Sequence, residues 1–386
     1  MQLRKPIMFV PHELIIQILL RLPVKSLIRF KSVCKLWFSL ISHDSHFANS
    51  HFQLNSETQN HRILLISTST HESLSIDCEA SLHNDSASVS LNLDSIFPED
   101  FTCYEINGSC RGFILFRCYL SIFIWNPSTG GHRQIPFGSN FDAEYSFGFG
   151  YDESTDDYLV VSTYQHDYLE DPHFEYFSLK ANAWKQVEAP HFPFANRYNL
   201  LHEPRGGSLY KGAIHWLAYC YDLCNNAIVA FDLIERKLSY MPLPHPFQCG
   251  VLWVYGEFLS LYTTDYRNHT VEIWVMKEYK VNSSWTMILV LPVDLIVCPK
   301  ALFFPLCCTK RGDIIGVDEE DRMFKYDQNG QFLDLHSYPN YDLRCKVTMY
   351  IDSLLSLPGD GDNKQTREDD KNKKNEVVKY SRSLFS

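Results

Sequence analysis

Two hydrophobic patterns divide the chain: a helical one near the N-terminus and a strand-like one in the body. Between residues 12 and 22, one stripe of apolar side chains recurs at helical spacing, with Ile16 and Leu20 outside it. Pro23 ends that segment, residues 24–30 predict a second short helix, and residues 33–41 predict a third. The stripe consists of Leu14, Ile15, Ile18, Leu19 and Leu22. The expected buried side of the third helix consists of Val33, Leu36, Trp37, Leu40 and Ile41.

This helical segment is more apolar than a module of its size can bury. Of the 31 residues from His12 to Ser42, 17 are Leu, Ile, Val, Phe or Trp, and Cys34 adds one more. A module shorter than about 40–50 residues rarely forms a self-sufficient core. The surplus therefore indicates a surface that a partner covers.

From about Arg62 the pattern changes to short β-rich runs bounded by Gly, Asn, Asp, Ser and Pro. A loose repeat joins these runs, in which a strand ends on an aromatic residue, a turn follows, and a second strand returns. The anchoring aromatics lie 52, 54, 43 and 52 residues apart; they are Trp125, Phe177, Phe231, Trp274 and Tyr326. A unit of roughly 40–50 residues with about four strands is typical of a propeller blade.

The repeat therefore predicts an all-β propeller of about six blades, in which residues 62–95 and 345–357 share the blade that closes the ring. An irregular β-sandwich with coincidental hairpins is the alternative. We expect three units: a three-helix domain over residues 6–50, the propeller over 60–357, and a tail over 359–386. The tail is charged and almost without apolar side chains before its end, so we expect it to be disordered.

Charge is distributed unevenly along the chain. The net formal charge is −11, but residues 1–54 have +5 and residues 359–386 have +1, which leaves −17 for the body. An acidic body argues against nucleic-acid binding, which requires Lys and Arg to neutralise phosphates. The basic N-terminal segment suits an acidic protein partner, although a solvated basic face would look the same.

Cysteine usage and hydropathy indicate an intracellular chain that neither enters nor spans a membrane, with action in the cytoplasm or nucleus. The twelve cysteines form no C-x-x-C pair, so the usual zinc spacing is missing and we expect no metal. We expect reduced thiols that serve mainly as small core hydrophobes. The longest apolar run, residues 288–298, is too short to cross a bilayer.

No catalytic motif stands out. The sequence lacks G-x-S-x-G, H-E-x-x-H, a P-loop and a dinucleotide fingerprint, so we expect neither catalysis nor a cofactor. The acidic clusters at residues 156–157 and 318–321 fall at predicted hairpin turns, where solvated acids are common. His215 stands beside Trp216 in an apolar strand and is expected to be a hydrogen-bonded core histidine.

Residues 10–42 resemble an F-box. The resemblance rests on Val10-Pro11, the helix ELIIQILLRL, Leu22-Pro23-Val24, and SLIRFKSVCKLWFSLIS. The body resembles the F-box-associated domain of plant F-box proteins, including the kelch-like and S-locus-like groups, in GSCRGFILF, IWNPSTGGHRQIP, FGFGYDESTDDYLVV, SLYKGAIHWLAY and IVAFDL. Val10 departs from the Leu that is most common at its position.

The resemblance implies a non-catalytic subunit of an SCF-type cullin–RING ubiquitin ligase. The F-box would bind a Skp-type adaptor, and through it the cullin–RING core, while the β domain would hold an unknown target protein for ubiquitination. Matching the motif position by position places ten residues at or just beneath the adaptor interface: Pro11, Leu14, Ile18, Leu19, Leu22, Pro23, Leu27, Val33, Cys34 and Trp37. Each of them could instead have a purely internal core role.

Two functions of different classes stay open at this point. The alternative to a ligase receptor is a ligand- or carbohydrate-binding propeller, with or without hydrolytic activity, whose helices serve only for docking. The receptor hypothesis predicts that Leu19→Asp with Leu22→Asp abolishes adaptor binding while the β domain stays folded. It also predicts that residues 55–358 fold without the helices, and that targets contact the loops 138–146, 163–173 and 191–205.

Overall fold

The structure of the chain is a computed structural model. It describes these residues: 10–55, 61–67, 72–82, 88–91, 93, 104–118, 121–138, 144–165, 172–188, 194–195, 206–220, 225–243, 250–265, 270–292, 304–318, 322–338 and 345–358. The predicted disordered tail and most of the three predicted target loops lie outside these residues.

Four helices precede the sheets, one more than the sequence pattern predicted. Pro11 and Pro23 stand immediately before α1 and α2 with extended ψ angles of 144° and 146°, so each proline starts a helix. The additional helix α4 begins where the carboxylate of Asp44 accepts a hydrogen bond from the Phe47 amide at 2.9 Å. The helices are α1 (His12–Leu19), α2 (Val24–Phe30), α3 (Lys35–His43) and α4 (Ser45–Asn55).

The remaining described residues form six antiparallel sheets, each a blade of a propeller. Blade 1 contains β4 (Tyr104–Cys110), β5 (Phe113–Cys118), β6 (Ser121–Trp125) and β7 (His132–Pro136). Blade 2 contains β8 (Glu144–Asp152), β9 (Asp157–Gln165), β10 (His173–Ser178) and β11 (Ala183–Val187). Blade 3 contains β12 (Phe194–Ala195), β13 (Ser208–Tyr210), β14 (Ala213–Cys220), β15 (Asn225–Asp232) and β16 (Leu238–Pro242).

Blades 4 to 6 complete the ring. Blade 4 contains β17 (Gly250–Tyr255), β18 (Phe258–Asp265), β19 (Thr270–Met276) and β20 (Trp285–Pro292). Blade 5 contains β21 (Phe304–Cys308), β22 (Ile314–Val317), β23 (Met323–Tyr326) and β24 (Phe332–His336). Blade 6 contains β25 (Cys345–Ile351), β1 (His61–Ser67), β2 (Ser73–Asp77) and β3 (Ser88–Leu91).

The two ends of the propeller sequence close the ring by sharing blade 6. The last strand, β25, pairs antiparallel with the first, β1, in a register that runs from His61 opposite Ile351 to Ser67 opposite Cys345. The innermost strands β4, β8, β13, β17, β21 and β25 contact one another in that order around the ring. The predicted propeller and its shared closing blade are therefore confirmed.

The core of the propeller lies between neighbouring blades. Leu64 and Ile66 of blade 6 pack on Ile114 and Phe116 of blade 1, and equivalent clusters fill the spaces between the other blades. Because the middle strands are covered on both faces, they show continuous apolar runs rather than strict alternation; all five residues of β6 are buried.

The aromatic repeat in the sequence has a local structural cause. In blades 1, 3 and 5 the anchoring aromatic lies at the end of the third strand or one residue before it, and the next residue is Asn126, Asp232 or Asp327. The side-chain oxygen of each accepts hydrogen bonds from backbone amides of the following turn, at 2.8–3.3 Å. These side chains fix the tight return into the outer strand.

Side-chain hydrogen bonds also connect consecutive blades around one end of the propeller, which we call the near end. The groups that donate and accept these bonds lie in or next to two kinds of short turn. One kind joins the first and second strands of a blade, and the other joins the third and fourth. The bonds are Arg133 to Leu179 and Asn182, Arg236 to Asp152, Tyr210 to Glu257, Tyr255 to Gly312, Lys310 to Glu79, and Asn126 to Ser353 and Leu355. We call the opposite end the far end. Almost all of the connections between strands at that end lie outside the described residues.

Candidate functional site

The four helices share a small core. Leu19, Leu27 and Ile41 are 0–3% exposed, and Leu20 and Val24 are buried with them. Ile16 and Leu20, which the sequence pattern placed outside the apolar stripe of α1, are half-buried and buried, respectively. The buried side of α1 is formed by Ile15, Ile16, Leu19 and Leu20.

A set of large apolar side chains lies on the solvent side of these helices. Leu14 and Ile18 of α1, Val33 of the loop before α3 and Leu36 of α3 are 54–59% exposed. Val33 and Leu36 were predicted on the buried side of the third helix, which the structure contradicts. We call these four residues the apolar helix surface. So many large apolar groups on a small module are typical of a protein interface.

The ten predicted interface residues divide into three groups by burial. Six of them are exposed: Pro11, Leu14, Ile18, Pro23, Val33 and Cys34. Leu22 and Trp37 are half-buried, and the Trp37 ring packs against Phe30 with centroids 5.5 Å apart. Leu19 and Leu27 are fully buried, so any effect they have on a partner is transmitted through the helix core.

Helix α4 fixes the end of α1 and the start of α2. The Nε2 of His51 lies 2.8 Å from the carbonyl oxygen of Leu22, and the amide of Asn55 donates to the carbonyl of Leu20 at 2.9 Å. Burial lowers the pKa of His51, against the opposing effect of its hydrogen bond to Leu22, so the neutral ring is favoured. These bonds hold the chain at Pro23, where α1 and α2 turn away from each other.

The helical module docks on the near end of the propeller. Phe47, Ala48 and Phe52 of α4 belong to the same buried cluster as Phe113 of blade 1 and Leu354 beyond β25. At its edge the guanidinium of Arg111 lies 4.8 Å from the ring centroid of Phe52 and 3.8 Å from that of Tyr151. The same group donates to Asn49 Oδ1 at 3.3 Å. Sequence patterns gave no signal for this contact, because one Arg in a turn carries no periodicity.

The near end also holds a buried ion pair between blades 2 and 3. Asp152, 1% exposed, accepts a hydrogen bond from Arg236 at 2.6 Å. Burial alone would raise the pKa of Asp152, but hydrogen bonds from Ser154, Thr155 and Arg236 outweigh it and hold the pKa well below its usual range. The predicted acidic turn at residues 156–157 is likewise structural: Asp157 is buried and accepts bonds from Ser178 and Lys180.

His215 has the core role that the sequence predicted. Its ring is fully buried, with Nδ1 3.1 Å from the carbonyl oxygen of Ser208 and Nε2 2.8 Å from the hydroxyl of Tyr279. Within the part of the chain that the structure describes, no three His, Cys, Asp or Glu side chains are placed to hold a metal ion. No described helix is both long and apolar enough to cross a membrane.

Toward the far end, blades 1 and 2 enclose polar groups. Arg117 pairs with Glu105 at 3.6 Å, and its guanidinium lies 5.8 Å from the ring centroids of both Phe137 and Phe147. Glu175 on β10 is 3% exposed, and within the described part of the chain its Oε1 has no hydrogen-bond partner. Burial raises the pKa of Glu175.

Comparison with known proteins decides the family. The model of the F-box associated beta propeller domain matches residues 57–356, and the F-box-like model matches residues 7–53. The chain belongs to the F-box-associated β-propeller family. Its helical module is an F-box, and the apolar helix surface is the exposed face of that F-box.

The curated relatives are F-box proteins by name. The chain is 29% identical over 305 residues to the F-box/kelch-repeat protein At3g23880 of Arabidopsis thaliana, covering 74% of this chain and 81% of the relative. It is 25% identical over 408 residues to the F-box protein At2g07140 of the same plant, covering 92% and 98%. Among solved structures it is similar to TolB from Acinetobacter baumannii, with 10% identity, a TM-score of 0.41, and coverage of 79% and 72%. A similarity at that level says nothing about function.

The combination of an F-box and a propeller supports, in general terms, the role of substrate receptor in an SCF-type ubiquitin ligase. F-box proteins as a class bind Skp-type adaptors and contribute no catalytic groups of their own. The F-box-associated propeller is accordingly the part in which target recognition is sought.

Proposed function

We propose that this F-box binds a Skp-type adaptor, and through it a cullin–RING core, by means of the apolar helix surface. The supporting observation is the exposure of Leu14, Ile18, Val33 and Leu36 on one small module. Burying the exposed half of each such side chain in an apolar groove contributes about 1–1.5 kcal/mol. The basic charge of residues 1–54 suits an acidic partner and speeds association more than it adds affinity.

We also propose that the far end of the propeller holds the target. The near end is occupied by the F-box and tied together by the bonds between blades, so the target is assigned to the opposite end. The protein then contributes proximity: it raises the effective concentration of target lysines near the charged ubiquitin. The free thiols of the described residues fit action in the cytoplasm or nucleus.

Binding of the full chain to a purified Skp-type adaptor tests the first proposal. Ile18→Asp should weaken binding at least about 30-fold, since truncation or charging of an interface hot spot costs 2 kcal/mol or more. Ile234→Asp is the matched control, because Ile234 is 55% exposed on a near-end turn of blade 3 and should leave affinity unchanged. Titration calorimetry or biolayer interferometry measures both.

The double change Leu19→Asp with Leu22→Asp is a poorer test than the sequence suggested. Leu19 is 1% exposed, so a carboxylate there would be buried without a partner and would unfold the helices. Loss of binding would then not report on the interface. If Ile18→Asp and Leu36→Asp both bind the adaptor at full strength while remaining folded, the proposed surface is wrong.

A further inference from the structure

The space between blades 1 and 2 changes from apolar to polar toward the far end. On the near-end side it is filled by Leu115 of β5, Val160 of β9 and Phe177 of β10, each fully buried. Side chains two positions apart on a strand lie on the same face. The next residues on that face toward the far end are therefore Arg117, Ser162 and Glu175.

The strand register connects the polar residues of blade 2. Ser162 stands opposite Glu175 in the β9–β10 pairing and opposite Phe147 in the β8–β9 pairing. Side chains that stand opposite each other have Cβ atoms about 4.5–5.5 Å apart. Phe147, Ser162 and Glu175 therefore form one row across the blade, and this row faces blade 1.

Blade 1 contacts both ends of that row. At the inner end the Arg117 guanidinium lies 5.8 Å from the ring centroid of Phe147, and the Phe137 and Phe147 ring centroids are 6.0 Å apart. At the other end lies Gly138, since a Cβ built on this glycine would overlap Oε1 of Glu175. The polar groups of the two blades therefore belong to one connected site.

Glu105 of the innermost strand β4 completes the group. Its carboxylate pairs with Arg117 at 3.6 Å, and the two side chains are 37% and 22% exposed. Glu175, on the third strand of its blade, is 3% exposed. The site therefore extends from a partly exposed ion pair to a buried carboxylate. We call these four residues the inter-blade polar site: Glu105, Arg117, Ser162 and Glu175.

Three atoms of the inter-blade polar site have no hydrogen bond within the described part of the chain. They are Glu105 Oε2, Ser162 Oγ and Glu175 Oε1, and all three are buried. Buried polar atoms without a partner are rare because they cost free energy. Proteins keep such locally unfavourable arrangements mainly at functional sites.

We propose that the inter-blade polar site receives a basic side chain, arginine or lysine, of the target protein. This inference rests on the proposed role of the far end in holding the target. The Glu105 carboxylate is already opposed by Arg117, whereas no cation among the described residues pairs with Glu175. An incoming guanidinium or ammonium group supplies that cation and donates the missing hydrogen bonds.

Acidic and apolar side chains fit this site less well. An acidic group would bring a second negative charge close to Glu175, since Arg117 is already paired with Glu105. An apolar group would leave the three polar atoms without partners. The ring faces of Phe137 and Phe147 also favour a cation, and the net charge of −17 on the body attracts basic segments.

Thermal unfolding of the full-length chain with small side-chain mimics tests the proposal. The probe is N-acetyl-arginine amide at about 1–50 mM and constant ionic strength, since a single side chain is expected to bind with about millimolar affinity. The probe should raise the melting temperature in a saturable way, because a ligand that binds only the folded state stabilises that state. N-acetyl-glutamine amide and N-acetyl-glutamate amide should give no such shift.

Three variants locate the binding. Glu175→Gln should raise the dissociation constant of the arginine mimic at least about tenfold, although removal of the buried charge should make the protein itself more stable. Gly138→Ala keeps the net charge but displaces the Glu175 carboxylate, so it should also weaken binding. Glu188→Gln removes the same charge from an exposed position after β11 and should bind like the wild type. A more stable protein that binds less well would separate a binding role of Glu175 from a structural one.

Three results would overturn the inference. They are a wild type without a saturable shift, equal responses of Glu175→Gln and Glu188→Gln, and binding of the acidic mimic in place of the basic one. Adaptor binding, measured on the same preparations, separates these failures from a failure of the receptor role. A chain that binds the adaptor but does not respond to the arginine mimic keeps its proposed receptor role, and only the basic character of the target would be wrong.

Discussion

Glu175 is a buried carboxyl group, and burial disfavours its negative charge. It stands opposite Ser162 in the β9–β10 pairing, and neither Glu175 Oε1 nor Ser162 Oγ has a hydrogen-bond partner among the residues that the structure describes. A buried polar atom without a partner costs about 1–3 kcal/mol. The raised pKa of Glu175 means that the protonated form is favoured by folding.

Replacing this carboxylate by an amide should stabilise the protein. The protonated Glu175 contributes stability that is fully present below its unfolded pKa and is lost as the pH rises through the folded pKa. Glu175→Gln should therefore raise the free energy of unfolding at pH 7 by about 1 kcal/mol, with no gain near pH 4. Denaturant unfolding measures it, with the exposed Glu188→Gln as control. A loss of stability at pH 7 would contradict the prediction.

His215 should destabilise the protein as the pH falls. Burial lowers its pKa to about 4, chiefly by desolvation, with Lys280 adding to the effect and the Ser208 and Ala213 bonds opposing it. The unfolded histidine takes up a proton near pH 6.5 while the folded one does not, so stability present above that pH falls by about 3 kcal/mol toward pH 4. His215→Gln should reduce this pH dependence, whereas the exposed His132→Gln should not. Equal slopes in both variants would refute the assignment.

At the scale of the element, the β4–β5 turn of blade 1 packs against the F-box and holds it on the ring. Arg111 has a positive φ of 51° in the β4–β5 turn and reaches three side chains of two different elements. Its contacts with two aromatic rings are partly desolvated, and such contacts are worth about 1–2 kcal/mol. The F-box is thereby held at one orientation relative to the far end.

Loss of Arg111 should loosen α4 without affecting adaptor binding. Arg111→Gly keeps the positive φ and removes the side chain, so amide exchange in α4 should accelerate about tenfold. Lys211→Gly is the matched control, because Lys211 has a φ of 43° in the equivalent turn of blade 3. Hydrogen exchange by mass spectrometry measures the difference. Unchanged protection in α4 would show that the apolar cluster alone holds the F-box.

At the scale of the whole molecule, ring closure depends on the last strand. Without β25, the β1 strand loses seven paired residues and blade 6 exposes Ile63 and Leu65. A chain ending at residue 344 should therefore lose its cooperative melting transition, whereas a chain ending at 358 should melt like the full-length protein. Differential scanning calorimetry compares the two. A shared, unchanged transition would mean that the ring closes without β25.

The propeller was expected to be independent of the helices, and the structure qualifies that expectation. Phe113 and Leu354 of the propeller share a buried cluster with Phe47 and Phe52 of α4. A fragment without the F-box would expose these side chains to water. Its folding remains a prediction, now with a lower melting temperature expected for the fragment than for the full chain.

The sequence predicted the elements of the F-box better than their orientation. Pro11 and Pro23 fix where α1 and α2 start, because a proline at these positions ends one segment and begins the next. Both sides of α1 are apolar, however, so periodicity could not tell the core side from the solvent side. Helix α3 is likewise apolar on more than one side, which is why Leu36 was assigned to the buried side although it is exposed.

Other features depend on contacts that no local pattern encodes. Helix α4 has few apolar residues, and its stability comes from packing on the ring and from bonds to α1. The blades were predictable because each repeats an aromatic, a turn and a strand.

The pairing of β25 with β1 also determines the order in which the parts of the chain can fold. His61 and Ile351 are neighbours in the sheet but almost the whole propeller sequence separates them, so the ring cannot close until synthesis has passed residue 351. The F-box core, made of residues close in sequence, can form on the ribosome long before that. If the F-box binds an adaptor as proposed, a message truncated before β25 would yield a chain that occupies the adaptor with no ring to present a target, and such a product would compete with the intact protein.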